Sequence, residues 1–165
     1  MISSMENSGF VKGSYHVGIT VQDMDRSLQF YRGQLGLELI LDTIFDKEYI
    51  LQIVSISGLK CMRIALLRIP DSELVIELLE YREVERFSSS SRPCDPGSGH
   101  LCLYVVNIDQ LHHKLKASGV RFRSEHPIEV THGPNAGAKV MYMMDPDGFI
   151  IELFEKNIRG EQHEV

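Results

Sequence analysis

Two stretches of this chain are near-duplicates, "LVIELLEY" at 74–81 and "FIIELFEK" at 149–156, and each sets one glutamate among apolar neighbours. Neither Glu77 nor Glu152 has a charged residue within two positions on either side. An ionised carboxylate kept in such surroundings costs several kcal/mol unless a cation compensates it. No Arg or Lys occupies a matching repeat position that would pair with both. Two histidines do recur: His16 opens "HVGITV" and His100 opens "HLCLYV". Strand side chains alternate with period two, so His16 lies opposite the face of Val17, Ile19 and Val21, and His100 opposite that of Leu101, Leu103 and Val105. Two neutral imidazoles and two carboxylates are a usual ligand set for a divalent transition ion, and such an ion removes the cost of the charges. A single histidine at a strand start is more often a hydrogen-bonded scaffold residue, and a single glutamate in an apolar strand can face solvent along an amphipathic edge. Two of each, paired by repeat and agreeing in parity, point to a metal centre of His16, Glu77, His100 and Glu152.

The elements that must position these residues are themselves repeated. "HVGITVQDMDRSLQFYRGQLGLEL" at 16–39 matches "HLCLYVVNIDQLHHKLKASGVRF" at 100–122: a histidine, an alternating strand, an Asp/Asn turn, then a helical pattern ending near glycine. Asp23 or Asp25 can cap the first helix, whose Leu28, Tyr31 and Leu35 recur at helical spacing before Gly36. Asn107 or Asp109 caps the second, followed by Leu111, Leu115 and the stop at Gly119. Strand-like segments follow in each half: "LELILDTI", "YILQIVSI" and "CMRIALLRI", then "VRFRSE", "PIEVTH" and "AKVMYMM". "DPDG" before the second glutamate strand predicts a hairpin, since proline presets one torsion and glycine accepts a positive one. The expected organisation is a tail over 1–13, a βαβββ module over 14–82, a Ser/Pro/Gly-rich linker over 83–99, a second βαβββ module over 100–156 and a polar tail over 157–165.

This arrangement resembles the vicinal oxygen chelate superfamily, which includes glyoxalase I, methylmalonyl-CoA epimerase, fosfomycin- and bleomycin-resistance proteins and extradiol dioxygenases. The resemblance spans residues 14–156 and rests on "HVGITVQDMDRSLQFYRGQLGLEL", "GHLCLYVVNID" and "DPDGFIIELFE". It implies an α+β fold in which two βαβββ modules form a curved mixed sheet around a metal, with His16, Glu77, His100 and Glu152 as ligands. Position 77 is the most informative, because the resemblance implies a ligand there in the glyoxalase and epimerase branch and none in the dioxygenases. A homodimer is implied as well, the modules pairing within or between chains.

Four protein ligands leave two positions on a six-coordinate ion, which suits a small-molecule substrate with vicinal oxygens. Such an ion polarises the carbonyl and stabilises an enediolate, so the expected reaction is proton abstraction beside a carbonyl, as in a glyoxalase-like lyase, isomerase or epimerase. By resemblance to glyoxalase I, Glu152 or Glu77 is the base; Glu48, in "FDKEY", reads more readily as a surface charge. Tyr49, Cys102, Tyr104, His132, Met141 and Met143 are candidates for lining the substrate pocket. Arg92, Lys139 and Arg159 are candidate anchors for an anionic tail, whereas His112, His113, His126 and His163 read as scaffold or unpaired residues. The ion is divalent, with Ni, Co, Zn, Mn and Fe all compatible with these donors.

Two alternatives stay open. His132, Tyr142 and the Asp-Pro turn approximate a dioxygenase signature, which implies Fe(II) ring cleavage, although the nine residues between His132 and Tyr142 are a slightly long gap for it. A resistance-type binding protein would resemble the fold without chemistry. Composition narrows the remaining classes. In 165 residues, 17 basic against 23 acidic side chains give a net charge of −6, which repels nucleic acid and anionic membranes. No apolar run approaches the ~20 residues of a membrane span, and "MISSMENSGF" lacks a signal-peptide pattern. The three cysteines form neither a disulfide framework nor a CxxC site, so the expectation is reduced thiols in a cytoplasmic protein.

Overall fold

The alternating residues of "HVGIT" form strand β1 (His16–Thr20), with Ile19 buried and His16, Gly18 and Thr20 exposed. The computed structural model describes residues 10–88 and 92–157. Asp23 caps helix α1 (Met24–Leu28) by accepting the backbone N–H of Arg26 at 2.9 Å. Asp25, the other cap candidate, is ion-paired with Arg63 instead. From Gln29 to Gln34 the helix widens into a π-helical turn, marked by the Leu35 N–H donating to the Phe30 carbonyl at 3.0 Å. The wider turn lets the successive rings of Phe30 and Tyr31 both enter the core, edge to face at 5.0 Å. Gly36 then takes a positive φ of 79°, a conformation that favours glycine, and ends the helix.

β2 (Glu38–Phe45), β3 (Cys61–Arg68) and β4 (Val75–Arg82) complete the first sheet, in the order β1-β4-β3-β2. The segment "YILQIVSI", expected as a strand, belongs instead to helix α2 (Glu48–Val54), which ends at Ser55 in the left-handed conformation. Ile50, Leu51 and Val54 fall on one helical side and pack against Leu59, Met62 and Ile64. Burial of that stripe overrides the strand preference of its β-branched residues.

The second module repeats the plan with β5 (His100–Tyr104), α3 (Ile108–Ala117), β6 (Arg121–Phe122), β7 (Ile128–Glu129), β8 (Lys139–Met144) and β9 (Ile150–Glu155). Its sheet order is β5-β9-β8-β6, with β7 also paired to β8. The "DPDG" turn joins β8 to β9 as an antiparallel hairpin, Gly148 lying at φ 97°. Asn107 precedes α3 with a left-handed backbone and no side-chain cap; its N–H donates to Glu155.

One hydrophobic core runs through both modules, joining Ile19, Phe30, Tyr31 and Ile76 to Leu101, Ile108, Met143 and Leu153. The β8–β9 turn fastens the modules at this seam. Asp145 accepts the Tyr31 hydroxyl at 2.9 Å, and Asp147 accepts the Gln22 N–H and pairs with Arg26. Among the described residues the strands thus divide into two mixed sheets whose shared core lies on the helix side. Each sheet turns its other face outward, that of the first partly covered by α2. No helix among the described residues is long and apolar enough to cross a membrane.

Candidate functional site

The two modules place their histidine and glutamate by the same register. β1 and β4 run parallel with His16 beside Val75 and Gly18 beside Glu77; β5 and β9 run parallel with His100 beside Ile150 and Cys102 beside Glu152. In each case the histidine starts the strand and the glutamate lies two residues further along its partner, so the side chains meet on one face. The Nε2 of His16 lies 3.2 Å from a Glu77 oxygen, and that of His100 lies 2.9 Å from Glu152. Both pairs are partly exposed, with side-chain exposures of 35% and 19% in the first and 42% and 17% in the second.

The structure therefore brings the four residues together as two pairs. Among the described residues, no three His, Cys, Asp or Glu side chains stand close enough to share an ion. Each pair is half of the donor set inferred from sequence, an imidazole nitrogen and a carboxylate oxygen held side by side. Nitrogen and oxygen donors of this kind fit a divalent transition ion, and two such halves make a four-ligand site.

The half-sites differ in their surroundings. Beside Glu77, the Tyr81 hydroxyl has its pKa raised, first by burial and then by the Glu77 charge. At Gly18, beside Glu77, an added Cβ would press on Leu79 at 3.2 Å and lie 3.8 Å from a Glu77 oxygen. α2 packs over the far end of this face through Leu66, Leu79 and Tyr81. In the second half-site the glycine is replaced by Cys102, whose thiol is pushed up to about 11 by burial and by the charge and hydrogen bond of Glu152. Tyr142 pairs with Glu152 across the hairpin, and its ring stands 5.3 Å from that of His100. Its pKa is raised by burial, with Glu152 and Cys102 adding to the effect. A cavity of about 630 Å³ opens beside Glu152, bounded by Arg123, Thr131, His132, Tyr142 and the apolar Ile128 and Val140.

The pocket residues inferred from sequence scatter. Cys102 and Tyr104 lie on the His100 face, and Tyr104 carries Lys156 over its ring at 4.5 Å. His132 lines the cavity beside Glu152. Tyr49 sits exposed on α2, as does Glu48, which accepts a hydrogen bond from Gln52. Met141 borders the cavity but is buried in the core, and Met143 is wholly within the core. Parity explains the methionines: the hairpin sets Met141 and Met143 beside Leu153 and Ile151, on the core face, and Tyr142 beside Glu152. Counting back from "DPDG" would have found Tyr142. Of the candidate anion anchors, Arg92 is paired with Asp95 and Lys139 with Asp109, while Arg159, like His163, lies outside the described residues. Cys61, Cys94 and Cys102 are free thiols.

Comparison with known proteins agrees with this fold. The Glyoxalase/Bleomycin resistance protein/Dioxygenase superfamily pattern matches residues 13–153. A 2-epi-5-epi-valiolone epimerase from Actinomyces sp is 32% identical over 84% of this chain and 76% of its own length. A lactoylglutathione lyase from Schizosaccharomyces pombe is 27% identical over 86% of this chain, which spans about half (47%) of that enzyme. A glyoxalase family protein from Bacillus cereus superimposes with a TM-score of 0.76 at 20% identity, covering 91% of this chain and 97% of the other.

Proposed function

Because the chain belongs to the Glyoxalase/Bleomycin resistance protein/Dioxygenase superfamily, we propose that it is a divalent-metal epimerase or lyase that removes a proton from the carbon beside a carbonyl. The observation that carries this reading is the equal placement of two His–Glu pairs on equivalent parallel strands. Both pairs face outward, away from the shared core. Pairing of two protomers through these faces would bring His16 and Glu77 of one against His100 and Glu152 of the other, so a homodimer completes the site. An ion held there, whether Ni, Co, Zn, Mn or Fe, would polarise the substrate carbonyl and offset the charge that develops as the neighbouring proton leaves.

The chain's own groups supply the remaining chemistry. A carboxylate oxygen of one glutamate, Glu77 or Glu152, accepts the proton; delivery of a proton by the other glutamate to the opposite face of the same carbon gives an epimer, and return by the first to the adjacent carbon gives an isomer. Burial and the neighbouring glutamate charges raise the pKa of Tyr81, Cys102 and Tyr142, so these three groups are not the base. The substrate end away from the reacting carbon lies in the cavity beside Glu152.

The test mixes two inactive variants, His16→Ala and His100→Ala. In a mixed dimer one site carries both defects and the other carries none, so random pairing restores roughly a quarter of the metal equivalents and of the deuterium exchange from solvent into 2-epi-5-epi-valiolone or lactoylglutathione. No recovery on mixing, with each variant folded, refutes the between-chain site. Full metal content and exchange in Glu77→Ala refutes the four-ligand centre. A second reading draws on one feature, the shared cavity of His132, Tyr142 and Glu152. Oxygen uptake with a catechol and Fe(II), undiminished in Glu77→Ala, would identify a ring-cleaving dioxygenase instead.

A further inference from the structure

A histidine that holds a metal ion ordinarily donates its second ring N–H to a carboxylate or a carbonyl, and that bond fixes the orientation of the imidazole. The histidines of the two His–Glu pairs have no such bond. Among the described residues, the polar partner of His16 is Glu77 and that of His100 is Glu152, each reached through Nε2 and each a ligand candidate itself. Both imidazoles are partly exposed, so burial does not hold them either. What each ring meets instead is a tyrosine.

The two tyrosines differ in origin. His16 meets Tyr15, its own neighbour in the chain, with ring centres 5.2 Å apart and planes at 59°, and Tyr15 is 70% exposed. His100 meets Tyr142 at 5.3 Å and 37°. In the order β5-β9-β8 these two residues stand on the strands flanking β9, so their rings lean toward each other over the strand that carries Glu152. Tyr142 is half-buried, and the β8–β9 ladder sets it directly beside Glu152. The matching place in the first module, beside Glu77 on β3, is taken by Leu66. The contact across the glutamate strand therefore belongs to the second module.

We propose that Tyr142 is the positioning residue of His100: its ring takes the place of the usual hydrogen bond and keeps the imidazole nitrogen beside Glu152, ready for an ion. This role rests on the metal centre proposed above. An aromatic pair of this kind acts through the faces and edges of the rings, so the ring of Tyr142 matters here and its hydroxyl does not. A ligand ordered before binding loses less freedom at binding, which raises affinity.

The experiment measures Co2+ affinity by competition between the full chain and a chelator, together with the ring-proton NMR signals of His100 in the metal-free chain, assigned by their loss in His100→Ala. Tyr142→Phe keeps the affinity and the Co2+ absorption spectrum of the wild type. Tyr142→Leu, a change to the side chain that Leu66 supplies in the first module, keeps the circular dichroism spectrum and binds Co2+ about three- to tenfold more weakly, the effect of losing one aromatic pair. In the wild type and Tyr142→Phe the ring current of residue 142 displaces the His100 signals; in Tyr142→Leu they move to the positions of an exposed histidine. Wild-type affinity in Tyr142→Leu, weakening in Tyr142→Phe equal to that in Tyr142→Leu, or undisplaced His100 signals in the wild type would each overturn this role and leave the metal centre standing. A wild-type chain that takes up no Co2+ would overturn both.

Discussion

Asp145 is 1% exposed, and its charge is held by the Tyr31 hydroxyl at 2.9 Å and two backbone N–H groups. Burial raises its pKa, while the hydrogen bonds partly restrain the rise. Tyr31 is fully buried, and its own pKa is raised by burial and by the adjacent carboxylate, so it remains a donor at any physiological pH. Tyr31→Phe keeps the ring and removes one partner of a buried charge. It should destabilise the chain by about 1–3 kcal/mol, measured as a lower urea midpoint with an unchanged slope. The residue scale also separates the two glutamates. Glu77 is flanked by Gly18 and Leu66 where Glu152 is flanked by Cys102 and Tyr142, so equal positions in the repeat are chemically unequal.

At the scale of elements, α3 carries a titrating group on its buried side. His112 is 2% exposed, edge-on to Phe122 at 4.6 Å, and its Nε2 has no partner among the described residues. Burial lowers its pKa below the ordinary value, and Lys116, His113 and His126 lower it further. The unfolded chain therefore takes up this proton at a higher pH than the folded one. Its contribution to stability is intact above about pH 6.5 and is lost as the pH falls through the depressed folded value. His112→Leu removes the loss, so chemical denaturation at pH 7.5 and 5.5 should show a smaller acid-induced drop in the variant than in the wild type. Helix α2 belongs to this scale too. Its sequence has strand-like composition, and only the apolar patch of Leu59, Met62 and Ile64 selects the helix.

For the whole molecule, a core shared on the helix side forces both His–Glu faces outward. Those faces carry exposed apolar groups, Tyr104 at 72% and Ile128 at 59% in the second module and Leu41 at 37% in the first. Burying them against a second copy is favourable at roughly 25 cal/mol per Å² of apolar area. Tyr104→Asp should therefore yield a monomer by sedimentation with an unchanged circular dichroism spectrum, and with lost metal content. A Tyr104→Asp chain that remains dimeric and metal-loaded would place the contact between protomers elsewhere.

Local chemistry made much of this protein legible in its sequence. Period-two alternation, the Asp23 cap, Gly36, Gly119 and the "DPDG" turn act over a few residues, and the repeat doubled each signal. The parity of His16, Glu77, His100 and Glu152 follows from the same rule, whereas the hairpin register sets Met141 and Met143 on the core face and not in the pocket. The helix at 48–54, the π-helical turn and the grouping of His16, Glu77, His100 and Glu152 into two separate pairs belong to tertiary structure. They depend on which apolar surfaces meet across long stretches of chain, and no local pattern encodes which distant surfaces those are.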